Sequence, residues 1–220
     1  MFETDLYIAC LHLTGSRCLV VGAGETAIEK IDALLACGAT VEVVAPETER
    51  AILDLVKAKA IRWKPRRYQP ADLDGCLLVV VATPDAQVNE AVHADATARP
   101  MLINVVDVPA LCNFILPAIV RHGPIAIAIS TAGASPALAA RMKREIAGEF
   151  GPAHARLAIA LNDLREWSQA NLPTYGARKE FFEDVVNGDP DPLDFVRKDD
   201  ERGLAQLFEA AKEKAMHSLL

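Results

Sequence analysis

The sequence holds no apolar run near the roughly 20 residues that a membrane-spanning helix requires, which argues against an α-helical membrane protein. It holds no CxxC pair, and its five cysteines (Cys10, Cys18, Cys37, Cys76, Cys112) are an odd number, so neither a disulfide framework nor a thiolate zinc site has its spacing. Reduced, mostly buried thiols of a cytoplasmic protein are expected. The histidines, His12, His93, His122, His154 and His217, form no HxxxH or similar pair, so no preformed metal centre is expected. Only His122 in the hairpin turn and His154 at a helix start merit a functional test, against the plainer reading of exposed turn residues. Basic residues are the minority, 23 Lys and Arg against 30 Asp and Glu, and the net charge of -7 argues against a general nucleic-acid binder, which needs a basic face for phosphates. The opening MFETDLYIAC carries Glu3 and Asp5 where a secretory leader carries basic residues, so nothing in it points to export. Neither an internal repeat nor a low-complexity tract is detectable.

What is present reads as ordinary globular composition, in a chain of 220 residues long enough for a real core or for a domain with an appendage. "RCLVVGAG" reads as a short buried strand ending in glycines. "ETAIEKIDALLACG" follows as a helix, with Ala27, Ile31, Leu34 and Leu35 at helical spacing and Gly38 as its stop. "TVEVVAPE" is a second strand, "TERAILDLVKAKA" a second helix with Thr48 as its N-cap, and "IRWKP" a short third strand. "CLLVVVATP" is another strand, "DAQVNEAVHADATARP" a helix opening at Asp85 and stopped by Pro100, and "MLINVVD" the next strand. Continuously apolar strands, each followed by a helix, predict an α/β fold: a doubly wound, Rossmann-like parallel sheet covered on both faces.

The first turn of that pattern carries Gly22, Ala23, Gly24, Glu25, Thr26 and Ala27, a G-x-G-x-x-A between strand and helix. Gly22 allows the tight turn, Gly24 lets the backbone approach a pyrophosphate, and Ala27 lets the helix pack closely on the sheet. The helix N-terminus presents N–H groups and a positive dipole end to the anion. Dinucleotide binding is the expectation, a structural glycine turn the alternative. The second strand ends in "VVAPE" without an acid at its tip. Glu47, farther along, reaches the adenosine ribose on one reading and is a first-turn helix acid on the other. No arginine cluster awaits a 2′-phosphate there, which leans toward NAD over NADP.

Asp107 is a single carboxylate closing a run of aliphatics, beside Val105, Val106 and Val108 and just before Pro109. It is either a base that exchanges protons or a capping acid that accepts backbone N–H bonds near Pro109. After it the alternation breaks. "FILPAIVRHGPIAIAIS" predicts a hairpin with strands at 114–120 and 124–130. The strand "IAIAIS" alternates isoleucine with alanine, a flat face that suits pairing with a second copy, although cover from within the monomer is an alternative. Ser135 is a good N-cap and Pro136 a good first residue for the helix that follows. The loop 130–135 offers hydroxyls and N–H groups, and Arg141, Lys143 and Arg144 either form a solvated face or bind a polycarboxylate. From about Gly151 the chain reads as helical, in "PAHARLAIALNDLREWSQAN", "GARKEFFEDVV" and "DERGLAQLFEAAKEKAMHSLL", with "NGDPDPLDFVRKDDE" as a solvated connector or a lid.

The blocks "CLVVGAGETAIEK", "VVAPE", "VVVATPDAQVN", "NVVDVPALCNFILPAIV" and "IAIAISTAGASPALAARMKREI" stand in an order and spacing similar to the precorrin-2 dehydrogenase and ferrochelatase family of siroheme synthesis. The resemblance covers about the first 150 residues and the helical tail only in kind. It implies an NAD-binding domain over 1–113, a small α/β dimerisation region over 114–150 and a helical region over 151–220, in a cytoplasmic homodimer whose two subunits build each active site. It implies Asp107 as the catalytic residue. The cofactor contacts expected are Gly22, Ala23, Gly24, Glu25, Thr26, Pro46, Glu47, Thr83 and Val106; those to a tetrapyrrole are Asn104, Ser130, Thr131, Ser135 and Arg141. Thr131 stands where many members carry serine and keeps the hydroxyl, and Ala23 stands at a variable position of the fingerprint.

The chemistry so implied is NAD-dependent oxidation of precorrin-2 to sirohydrochlorin, with Fe²⁺ insertion into that product as a second step. Asp107, past the carboxyl end of a central strand, stands where such sheets bind ligands. Apolar neighbours disfavour its charged form and suit it as a base. The same carboxylate could take the pyrrole N–H protons and serve the metal transiently. The alternatives are dehydrogenation without chelation and, from another class, a non-catalytic module that senses NAD or a tetrapyrrole. A dehydrogenase of a small alcohol lacks its Tyr-xxx-Lys pair here, since Tyr7, Tyr68 and Tyr175 are dispersed.

Overall fold

The computed structural model describes residues 6–219; the acidic pair Glu3 and Asp5 lies outside the described residues. The chain divides into two compact units, with the division in sequence between Leu116 and Pro117.

In the first unit, β1 (Arg17–Val21), β2 (Thr40–Val44), β3 (Ile61–Lys64), β4 (Leu78–Val81) and β5 (Leu102–Val105) form one parallel sheet in the order β3-β2-β1-β4-β5. Successive residues of a strand point to opposite faces, and here both faces are covered, which is why the strands are apolar throughout. Cys18, Val20, Val41 and Val43 pack with Ala27, Ile31 and Leu34 of α1 (Glu25–Ala36) and Ile52 of α2 (Arg50–Lys57). Leu19, Val21, Val79, Val81, Ile103 and Val105 pack on the other face with Val92 and Ala96 of α3 (Ala86–Thr97). Each fully buried aliphatic contributes roughly 1.5–3 kcal/mol. α1 ends as expected at Gly38: its φ is +76°, its N–H reaches Leu35 O and that of Ala39 reaches Leu34 O, a Schellman closure. Asp85 caps α3 through the N–H groups of Gln87 and Val88. Thr48 is not the cap of α2; Glu49 holds that place without a side-chain bond, because α2 begins at Arg50.

In the second unit, β6 (Ala118–His122) and β7 (Ile125–Ile129) form an antiparallel hairpin on which α4 (Pro136–Glu149) packs through Val120, Ile129, Ala139 and Ile146. The strand expected from 114 starts at Ala118: Pro117 has no N–H to donate, and Asn113 and Phe114 are bonded back to β5. His122 ends β6 rather than sitting in the turn. A helical core follows, built by α5 (Pro152–Asn171), α6 (Tyr175–Val186), α7 (Pro192–Arg197) and α8 (Glu201–His217) around Leu157, Leu164, Leu172, Phe181 and Phe208. α7 lies in the stretch read as connector or lid. Asp191 caps it and Leu193 and Val196 are buried, so the segment is part of the core.

The cysteines are all free, as expected, but only Cys18 is buried; Cys10 and Cys37 are exposed, Cys37 because it caps the end of α1.

Candidate cofactor and active site

The sheet order places β1 and β4 side by side while α1 and α3 leave them toward opposite faces, so the loops after these strands diverge and open a crevice at their carboxyl ends. Gly22 lies at its floor. Its φ is +107°, and a Cβ there would stand 2.2 Å from Ala82 O, so no side chain fits between the two loops. Thr83 follows at once on the β4 side, with its hydroxyl accepting from Asp85 N.

Gly24 is different. Its φ is -86°, open to any residue, and a Cβ there would meet no atom within 4 Å. Neither backbone strain nor packing within the chain therefore demands glycine. The N–H groups of Gly24, Glu25 and Thr26 donate to no acceptor among the described residues, and all three residues are exposed. Exposed backbone, free donors and the dipole of a 12-residue helix fit a pyrophosphate. Ala23 is buried, and its carbonyl accepts from Glu49 N at 3.3 Å, which ties the loop after β2 to the glycine loop. Pro46 and Glu47 are exposed in that tied loop. Glu47 precedes α2 altogether, so the first-turn helix reading is corrected.

At the tip of β5, Val106 N bonds to Val81 O, and Val108 N closes a turn onto Val105 O at 3.2 Å. Asp107 is the third residue of that turn, with φ +60°, the left-handed position that a type II turn places there. The expected burial among valines is not found: the turn directs Asp107 into solvent while Val105 stays in the core. Nor does it cap anything. Val108 is the N-cap of the following 3-10 turn (Pro109–Leu111) without a side-chain bond, and the Asp107 carboxylate has no hydrogen bond or ion pair among the described residues. It is a free acid on a constrained backbone.

Asn104 is buried, and its amide donates to Phe114 O at 3.1 Å, with Cys112 Sγ at 3.7 Å. It braces the segment after Asp107.

In the second unit, the loop 130–135 is organised by its own hydroxyls. Thr131 Oγ1 accepts from Ser135 N and donates to Ser135 O, both at 3.2 Å, while Ser130 Oγ accepts from Ala132 N at 3.1 Å. Ser135 Oγ caps α4 at Leu138 N. Ala132 has φ +49°, unusual for a residue with a Cβ. Ser130 and Arg141 are exposed, Arg141 in an i,i+4 pair with Glu145.

Sequence reasoning missed two groups beside Asp107. Cys112 and His93 both hold the segment after it, Cys112 through its sulfur and His93 through Nδ1, 3.0 Å from Leu111 O. Cysteine in "VPALCNF" signals only a small apolar residue, and His93 is hidden at an ordinary helical spacing.

Residues 9–118 match the family described as "Putative NAD(P)-binding", and residues 122–149 the one described as "Sirohaem biosynthesis protein central". The chain is 41% identical over 178 residues to a siroheme synthase of Chromobacterium violaceum, an alignment covering 81% of this chain and 38% of that protein. It is 42% identical over 183 residues to a siroheme synthase of Pseudomonas fluorescens, covering 83% and 39%. The chain spans about two fifths of the length of these curated relatives. The solved structure of SirC, precorrin-2 dehydrogenase, superimposes with a TM-score of 0.78 at 25% identity, over 94% of this chain and 100% of that one. These matches, in a chain whose glycine loop follows β1 and whose free Asp107 carboxylate stands past the tip of β5, place it in the precorrin-2 dehydrogenase and sirohydrochlorin ferrochelatase family.

Proposed function

We propose that this chain oxidises precorrin-2 to sirohydrochlorin with NAD⁺. The observation that carries the reading is the free carboxylate of Asp107, held in a left-handed turn beside the crevice that begins at Gly22. NAD⁺ supplies the hydride acceptor when bound. The N–H groups of Gly24, Glu25 and Thr26 hold the pyrophosphate, Ala23 fixes the loop, and Thr83 and Val106 form the opposite wall. Glu47, with Pro46 beside it, would take the adenosine ribose, where an acid favours free hydroxyls over a 2′-phosphate and so NAD over NADP. Oxidation removes a hydride and a proton from the tetrapyrrole, and Asp107 takes the proton. Ser130 and Arg141, with Thr131 and Ser135 shaping the loop, bind substrate carboxylates, and Asn104 acts through the brace it makes to Phe114.

Functionally, residues 1–113 serve the cofactor, 114–150 dimerisation and 151–220 the helical region. β7 pairs only with β6 among the described residues, and Ala126 and Ala128 leave it a small exposed face. That face suits a second copy in a cytoplasmic homodimer.

Fe²⁺ insertion is the second activity proposed, because Asp107 is free and exposed, able to accept the pyrrole N–H protons one at a time and to pass the first to water before the second leaves. A single anaerobic experiment with two arms tests both. With precorrin-2 and NAD⁺, equimolar NADH and sirohydrochlorin are expected, and no NADH above the protein-free control contradicts the dehydrogenase. With sirohydrochlorin and Fe²⁺ but no NAD⁺, siroheme should form faster than in buffer, and an equal rate removes the chelatase alone.

A further inference from the structure

The turn that carries Asp107 is held from outside the sheet. Because β5 is an edge strand, the N–H groups of Ile103 and Val105 face away from β4, and each meets a side chain of the returning segment 112–113. Ile103 N donates to Asn113 Oδ1 at 2.8 Å, and Val105 N donates to Cys112 Sγ at 3.1 Å. Asn113 also donates from its amide to Met101 O and from its backbone to Ile103 O. Two side chains thus stand in for a missing neighbouring strand.

Cys112 does more than cover an edge. Its Sγ lies 3.2 Å from Val105 O and 3.4 Å from Val108 O, the carbonyls of the first and last residues of the turn. One thiol proton serves one of these oxygens at a time, while the sulfur lone pairs receive Val105 N–H. Burial pushes the Cys112 thiol up and outweighs the opposing pull of that N–H, so the group stays a donor at neutral pH. His93 fastens the same segment to α3 through Leu111 O.

From this geometry we infer that Cys112 is the positioning residue for Asp107, clasping both ends of the 105–108 turn and so fixing the left-handed backbone from which the carboxylate projects. The inference rests on the reading of Asp107 as the proton acceptor. Without the sulfur, the turn keeps its closing bond from Val108 N to Val105 O, with Val106 N on Val81 O and Leu111 N on Val108 O, but no side chain ties its two ends together, and Asp107 has no side-chain contact of its own to hold it.

Three substitutions test it, compared with wild type in turnover of precorrin-2 with NAD⁺ and in NAD⁺ affinity. Cys112→Ala and Cys112→Val remove the sulfur hydrogen bonds, the valine while keeping the packed volume; Cys112→Ser keeps a hydroxyl donor and acceptor. The expected result is a fall in kcat of about tenfold for alanine and valine, NAD⁺ affinity within about twofold of wild type, and recovery of most of the loss by serine. Where the alanine variant does not fold, the valine variant carries the comparison. Wild-type kcat in the folded valine variant, a loss that serine does not recover, or a loss residing in NAD⁺ affinity overturns the positioning role. Asp107→Asn, measured alongside, separates the premises. If it turns over like wild type, the reading of Asp107 fails. If it is inactive while the Cys112 variants are unimpaired, only the positioning role fails.

Discussion

Gly22 and Gly24, two residues apart, are glycines for opposite reasons. At Gly22 the fold itself forbids a side chain, since φ is +107° and Ala82 O lies 2.2 Å from where Cβ would stand. At Gly24 nothing in the chain forbids one. Gly22→Ala is therefore expected to destabilise the protein by about 2 kcal/mol or more, whereas Gly24→Ala costs no more than about 1 kcal/mol and chiefly weakens NAD⁺. Thermal unfolding with and without NAD⁺ separates them: the first variant melts low in both conditions, the second near wild type but without the cofactor-induced rise. Equal destabilisation would remove the assignment of Gly24 to a ligand. The glycine spacing was legible in sequence because strand, turn and helix are contiguous there. Asp107 was legible as an isolated acid, but not its exposure. The neighbours in sequence are valines, and only the left-handed turn, which no single residue type announces when aspartate occupies it, carries the carboxylate away from them.

Among the elements, β1, β2 and β3 are joined by charge as well as by their ladders. Glu42 on β2 pairs with Arg17 of β1 and Lys64 of β3, both at 2.6 Å. Asp72 pairs with Lys64 at 2.9 Å and Arg66 at 2.6 Å and accepts from Gln69 N. Burial alone would push both carboxyls up, but their cationic partners outweigh it, holding Glu42 below its ordinary value and Asp72 well below the usual carboxylate range. In the unfolded chain these groups titrate near pH 4, so on acidification the unfolded state takes up their protons first. Their contribution is thus complete above about pH 5 and is lost as the pH falls toward their lower folded-state values. Denaturant unfolding between pH 3 and 7 should show stability falling on the acid side. Asp72→Ala should cost about 3 kcal/mol at pH 7 and flatten that acid slope, and an unchanged slope would contradict the network's part in it. These pairings were invisible in sequence, where Glu42 sits in an apolar strand and its partners lie 22 to 25 residues away. The strands themselves were readable from continuous apolar runs. α7 was not, because a six-residue helix rich in Asp and Pro at its start reads as a connector, and the stretch 114–117 was read as strand because apolar residues alone do not reveal that their backbone is bonded elsewhere.

For the whole molecule, the family is fixed by matches on both sides of the division between the units, in a chain that spans about two fifths of its curated relatives. The first unit carried its signature in contiguous motifs and was legible; the helical core of the second was legible as helices without a role, since amphipathic packing around Leu164 and Phe181 resembles that of many proteins. The proposed role of Asp107, a free acid that takes the proton released in the NAD⁺-dependent oxidation, is tested most directly by anaerobic NADH formation from precorrin-2 in wild type and Asp107→Asn. Asparagine tolerates the left-handed turn and removes only the charge, which makes it a cleaner substitution than alanine. The expected result is a fall of about a hundredfold or more in turnover with folding and NAD⁺ affinity unchanged. Turnover at the wild-type rate in the asparagine variant would contradict it.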